Sequence, residues 1–320
     1  MEPHSPAREG HGRTWAKAIL LGEHSVVYGH PAVAVPLHDL QMQATATPVS
    51  GPSTLNSLGY HGPMDESGSH FACVVRAFDA AREFAGCPGQ CFEITTHSDF
   101  PHERGLGSSA AAAGAVIRAV LDACQRAASA DELFALTQLA EQVAHGRPSG
   151  LDAAATSSPS PIRFQRGEMR FLSQRIGRAH LVIADSGVHG STREAVGGLR
   201  QRYEADTAAV GPLIDTLGAL TQTAITALRD GDAPALGAAM NQGHAVLREL
   251  GLSLPVLDRL TDAARQAGAL GAKLTGGGLG GCMIALADSA GTADRIRAAL
   301  LAAGSPATWT YQMRISEVTE

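Results

Sequence analysis

Trp15 to Leu21 is a short apolar run that stops at Gly22; Val26 to Tyr28 follows, and Ala32 to Leu37 is apolar again. That pattern predicts strand, turn and strand. Gln41 to Pro48 alternates, with Met42, Ala44 and Ala46 on one side, and predicts a further strand. Residues 50–69 are rich in Gly, Ser and Pro and predict a long loop. Phe71 to Phe84 has helical spacing and Cys91 to Thr96 alternates as a strand. An alanine-rich run reaching Ala128 is opened directly by Gly105-Leu-Gly-Ser-Ser109, which predicts a helix behind a glycine loop. Ser129 and Glu132 form a capping-box pattern for the next helix, with Gly146 as its terminator.

The second half reads differently. Ile162 to Phe171 predicts a hairpin turning at Gly167, and Leu181 to Asp185 a buried strand. From Arg193 to about Leu250 the period is helical, with breaks expected at Gly211-Pro212 and Gly231-Asp232. The end predicts helix (Pro255 to Ala267), strand and glycine turn (Ala272 to Gly281), strand (Cys282 to Ala287), helix (Thr292 to Ala303) and strand (Thr308 to Ile315). A strand-rich first half before a helix-and-strand second half implies an α+β fold of two lobes. The boundary is expected between residues 175 and 190 and is drawn as 1–177 and 178–320.

Composition narrows the function classes. A chain of 320 residues with 44% hydrophobic and 18% charged residues is an ordinary globular one. A net charge of −6 argues against a nucleic-acid binder, though not against a small anionic substrate. No apolar run is long enough to span a membrane, and the first 13 residues, expected to be a frayed tail, hold no signal-peptide core. Five cysteines with no Cys-x-x-Cys pair imply reduced thiols and a cytoplasmic location. Only Lys17 and Lys273 among 25 basic residues are lysine. A chain that chooses Arg elsewhere keeps Lys where a compact ammonium matters.

Both lysines sit beside glycine clusters. Lys17 leads a buried strand, and the turn after it sets Glu23 next to His24. This is either a cation reaching a phosphate from a rigid strand or a surface lysine before a polar turn. Gly105, Leu106, Gly107, Ser108 and Ser109 open a helix. Such a loop either gathers N–H groups around a phosphate, with a Ser hydroxyl on Mg²⁺, or is a common glycine turn with a Ser cap. Glu141 and His145 share a helical face, after which Pro148-Ser149-Gly150 presents Asp152. These carboxylates suit a metal ligand and a base, or a surface Glu and a turn-capping Asp. Lys273-Leu-Thr-Gly-Gly-Gly-Leu-Gly-Gly-Cys282 satisfies G-x-G-x-x-G but is followed by a strand, so a dinucleotide fold is rejected. A Walker A loop fails too, because the chain has no Gly-Lys pair. What remains is a turn whose backbone approaches another loop or a ligand closely.

In this order, the four motifs resemble the GHMP kinases, the superfamily of galactokinase, homoserine kinase, mevalonate kinase and phosphomevalonate kinase. Gly22-Glu-His-Ser-Val-Val-Tyr-Gly29 and His145-Gly-Arg-Pro-Ser-Gly-Leu-Asp152 are most similar to its mevalonate kinases. The resemblance implies an S5-like N-terminal domain with a ferredoxin-like C-terminal domain, and ATP-dependent phosphorylation of the 5-hydroxyl of mevalonate. It implies Asp152 as catalytic base, Lys17 as the cation at the hydroxyl, and Ser109 and Glu141 as Mg²⁺ ligands. Glu23, His24, His145 and Ser149 would surround the substrate. Residues 105–109 would hold ATP phosphates, with Gly276, Gly277 and Gly278 packed against them. No nucleic-acid or membrane partner is expected, and a homodimer is compatible with the resemblance.

Three positions depart from the pattern: Thr14-Trp15-Ala16 precedes the first lysine where Ala-Pro-Gly is usual, Pro101-His-Glu-Arg104 precedes Gly105, and Leu279 replaces a glycine. None removes a proposed catalytic group. Another small-alcohol kinase, for homoserine or a sugar, is the nearest alternative. A non-catalytic ligand sensor on this fold would have no need of Lys17, Ser109, Glu141 and Asp152 together.

Overall fold

The structure is a computed structural model and describes residues 8–145 and 148–318. It holds strands β1 (Gly10–Leu21), β2 (Ala32–Val49), β3 (Thr54–Ser57), β4 (Tyr60–Pro63), β5 (Cys91–Ser98), β6 (Ile162–Gln165), β7 (Glu168–Phe171), β8 (His180–Asp185), β9 (Gly271–Leu274), β10 (Cys282–Ala287) and β11 (Thr308–Gln312). The helices are α1 (Ala72–Ala85), α2 (Ser108–Ala123), α3 (Ala130–His145), α4 (Leu151–Ala155), α5 (Thr192–Ala205), α6 (Thr207–Asp230), α7 (Ala233–Glu249), α8 (Pro255–Gln266) and α9 (Ala290–Ala302). This is the mixed α and β architecture expected.

The chain forms two compact units, each discontinuous in sequence. The first gathers the stretch ending at Ala16 with Leu37–His102 and Gly107–Ser157; the second gathers Lys17–Pro36, Glu103–Leu106 and the stretch from Ser158 onward. Strands β1 and β2 therefore each contribute to both.

In the first unit β5 pairs antiparallel with β2 over Met42–Val49, and β3 pairs parallel with β5 and antiparallel with β4. The expected long loop at 50–69 is thus a hairpin followed by two 3-10 turns. Tight turn residues around two very short strands hid the alternation there. Residues 10–13, expected to be frayed, are strand. Gly10 and Gly12 lie so close to α2 that a Cβ on Gly12 would stand 1.9 Å from the Ala115 carbonyl oxygen. The inward positions carry no side chain, so period-2 hydrophobicity had nothing to register. The capping box holds: Ser129 N–H donates to Glu132 Oε2 at 2.7 Å, and Glu132 N–H to Ser129 Oγ at 3.2 Å. The Gly146 stop lies outside the described residues.

In the second unit a four-stranded sheet runs β11-β8-β10-β9, antiparallel throughout. Val182, Leu274, Met283, Leu257, Leu260, Ile296 and Leu300 fill one core against it. The β6–β7 hairpin turns at Gly167 (φ 84°), as expected. The helical break lies at Asp206 and not at Gly211-Pro212. Asp206 caps α6 by accepting the Ala209 N–H at 3.0 Å, and Pro212 sits inside that helix. A side-chain cap outcompetes a proline this near a helix start, where only one interior hydrogen bond is lost.

Candidate active site

In the second unit, β1 delivers Lys17 to the interior, 2% exposed, with its Nζ donating to the Gly105 carbonyl at 3.1 Å. The Lys17 backbone N–H donates to Leu106 O at 3.0 Å. The strand thus fixes the first two residues of the expected phosphate loop, Gly105 and Leu106, and places an ammonium against the glycine. Lys273, on β9, is fully buried. Both lysines kept in this arginine-rich chain are interior groups.

Past Gly22 (φ 104°) the chain turns sharply into His24, whose φ of 61° is uncommon for a residue with a side chain. Backbone held in such a region persists only where its surroundings impose it. Here His24 Nε2 contacts Gly277 O at 2.8 Å. Since a carbonyl only accepts, Nε2 carries the proton. Burial lowers the imidazole pKa to about 4, so the ring is neutral. Glu23 is buried, one carboxylate oxygen engaged by Lys273 Nζ, which also donates to Leu274 O at 2.7 Å. Burial pushes the Glu23 carboxyl up and the Lys273 ammonium down, and each partner's charge opposes the other's shift. Glu23 Oε2 is buried with no hydrogen-bond partner.

The glycine turn after β9 packs against the phosphate loop. A Cβ on Gly276 would meet Gly105 Cα at 2.9 Å, and one on Gly281 would meet Arg104 O at 2.8 Å. Gly276 and Gly278 have positive φ, and Gly277 would strike Thr192. Leu279 takes φ 56° in the same turn, with its N–H on Leu252 O at 2.8 Å. The close backbone approach read from the sequence is therefore present. Arg104 is occupied: its Nε lies 3.0 Å from Asp185 Oδ1, in a nearly buried pair.

In the first unit, Gly107 (φ 77°) caps α2, so Ser108 and Ser109 form its first turn. Ser109 Oγ donates to Glu141 Oε1 at 2.5 Å, and Glu141, on α3, is buried. The Cys73 thiol donates to the same oxygen at 3.3 Å; burial and that carboxylate raise its pKa. Two oxygen donors meet here. With phosphate oxygens and water they fit a hard divalent cation. Among the described residues no group of three or more His, Cys, Asp or Glu is placed to hold a metal unaided. Asp152, half-buried, lies in the first turn of α4 behind Gly150 (φ 94°). Exposed Ser149 accepts the Leu151 N–H at 3.3 Å. The His145 side chain lies outside the described residues.

The structure thus joins Lys17 with Gly105 and Leu106, His24 with Gly277, and Ser109 with Glu141. Sequence reading missed the supports. Thr275 Oγ1 accepts the Ile19 N–H at 2.9 Å and donates to Ile19 O at 3.2 Å, tying β1 to the glycine turn. Ser191 caps α5, and Thr192 behind it lies against Gly277. The Ser-Thr pair before a helix was the available signal. Trp15 packs edge-on to His38 at 4.9 Å, and its backbone N–H donates to Thr156 O at 3.0 Å, so this departure has a structural place in the first unit.

Residues 72–158 match the family model for the GHMP kinases N terminal domain, and residues 224–306 match that for the GHMP kinases C terminal. A mevalonate kinase of Pyrococcus abyssi is 33% identical over 95% of this chain and 97% of its own. One of Thermococcus onnurineus is 32% identical over 85% of this chain and 87% of its own. The crystal structure of L. major mevalonate kinase in complex with R-mevalonate is 25% identical, with a TM-score of 0.84 over 98% of this chain and 99% of that one. With these sequence likenesses and both family domains present, the chain belongs to the GHMP kinases, in the branch of the mevalonate kinases.

Proposed function

We propose that the chain transfers the γ-phosphoryl group of ATP to the 5-hydroxyl of mevalonate, giving 5-phosphomevalonate for isoprenoid precursor synthesis. The observation that carries this reading is the Ser109–Glu141 contact at the first turn of α2, 2.5 Å long. It brings together a helix start of the kind that suits a phosphate and two oxygen donors of the kind that suit a hard cation, which supports the reading. Phosphoryl transfer asks a protein mainly for positioning and charge stabilisation.

Each residue then has a role. The amides from Gly105 to Ser109 hold ATP phosphates. Ser109 and Glu141 hold Mg²⁺, which neutralises charge on the phosphate oxygens when bound. Asp152 orients the substrate hydroxyl and takes its proton. Lys17 offsets charge on the hydroxyl oxygen and the moving phosphoryl group. Neutral His24, His145 and Ser149 offer hydrogen bonds to the substrate, and Glu23, next to His24 in the sequence, completes the substrate-binding set. Gly276, Gly277 and Gly278 keep the phosphate loop in register. The enzyme divides as 1–177 and 178–320, works in the cytoplasm, and takes neither nucleic acid nor membrane as partner.

An ADP-release assay with ATP and Mg²⁺ against mevalonate, 5-phosphomevalonate, homoserine and galactose tests this. Turnover with mevalonate alone is expected. Turnover with another acceptor would retire the substrate, and none at all in a folded, ATP-binding protein would retire the activity.

A further inference from the structure

Two cysteines outside the catalytic machinery are brought together in the first unit. Cys87 follows the end of α1, where Gly86 (φ 73°) turns the chain. Its N–H donates to Arg82 O at 3.0 Å, and its carbonyl accepts the Gln90 N–H at 3.0 Å, so the backbone is fixed on both sides. Cys124 ends α2, with its N–H on Val120 O at 2.9 Å. The two segments are also clamped by Arg126, whose guanidinium sits 5.3 Å over the Phe84 ring.

Between these anchors the Cys87 and Cys124 sulfurs lie 2.6 Å apart. Two thiols held this close need almost no movement to reach the roughly 2.05 Å of a disulfide. Both side chains are half-buried, so a small oxidant reaches them; Cys73 and Cys282 are buried. The chain between the pair is long, 37 residues apart in sequence.

We propose that Cys87 and Cys124 form a reversible redox site, closing to a disulfide with a low-molecular-weight disulfide as oxidant. The Cys87 thiolate attacks one sulfur of the oxidant and expels the other as thiolate. The Cys124 thiol then loses its proton and attacks the Cys87 sulfur, releasing the second small thiol. The net change is two protein thiols to one disulfide, with the small disulfide reduced to two thiols. Cys87 leads because burial and its neighbour push the Cys124 thiol up to about 12. The bond staples the end of α1 to the end of α2 remote from Ser108 and Ser109. Its effect is therefore expected in stability.

The test uses the full chain, first reduced, then equilibrated with excess oxidised glutathione, alkylated and mapped by mass spectrometry. A Cys87–Cys124 peptide pair lighter by two hydrogens is expected, together with a melting temperature higher by about 5 °C, reversed by dithiothreitol. Cys91→Ser should keep both results, whereas Cys87→Ser and Cys124→Ala should lose them. Should the variants fail to fold, the wild-type peptide map decides alone. Full alkylation of Cys87 and Cys124 after oxidation, a glutathione adduct that never resolves, or a Cys87–Cys91 bond would overturn the proposal.

Discussion

Glu23 and Lys273 illustrate at the residue scale what a side chain does once its neighbours are known. Removing one partner of a buried pair strands the other charge and costs about 3–5 kcal/mol. Lys273→Met should therefore lower the urea midpoint sharply, and adding Glu23→Gln should recover much of the loss. A double variant no more stable than the single one would show that the pair contributes nothing beyond packing. At Asp152, exchange to Asn should reduce kcat by about 10²- to 10⁴-fold while ATP still binds calorimetrically. Near-normal turnover would remove it from proton transfer. Glu141→Gln should raise the Mg²⁺ concentration needed for half-maximal rate, and an unchanged titration would reassign it to structure. The lysines were legible because the chain holds only two. That Glu23 is engaged by Lys273 was not, since the contact spans 250 positions and no local pattern encodes it.

Among elements, legibility followed side-chain volume. The β6–β7 hairpin, the capping box of α3 and helices α1, α8 and α9 carry ordinary apolar periods or turn residues, and all were readable. The start of β1 was not. Its contact with α2 is made by removing side chains, with Gly10 and Gly12 against Ala115, Ala119 and Ala123. Restoring one methyl tests that account. Gly12→Ala drives a Cβ into the backbone of α2 and should cost about 1–3 kcal/mol, the range for overpacking. Gly51→Ala, where a Cβ meets nothing within 4 Å, is the control and should stay within about 0.5 kcal/mol. Equal effects in chemical denaturation would mean that β1 is not seated on α2 through its glycines.

The whole molecule should respond to acid through its buried histidines. His24 and His244 are both lowered from 6.5 to about 4, with burial the largest cause in each. His244 Nε2 lies 3.1 Å from Asp258 Oδ1, while its Nδ1 accepts the Leu274 N–H at 3.3 Å, which fixes a neutral tautomer behind β9. Above about pH 6.5 both rings are neutral folded or unfolded, and their contribution is complete. As pH falls toward 4 the unfolded chain binds protons that the folded one refuses, so stability drops. Each histidine adds at most about 1.4 kcal/mol per pH unit over that window. Glu23 runs the other way. Its raised pKa lets the folded state take up a proton before the unfolded one, which offsets part of the loss at the acidic end. Unfolding free energies from urea titrations at pH 7, 6 and 5 should therefore fall with acid. His244→Gln should start lower at pH 7 and fall less steeply, by about one proton's worth of slope. Parallel lines for the variant and the parent would show that His244 is protonated equally in both states, and the tautomer argued from Leu274 would fail with it.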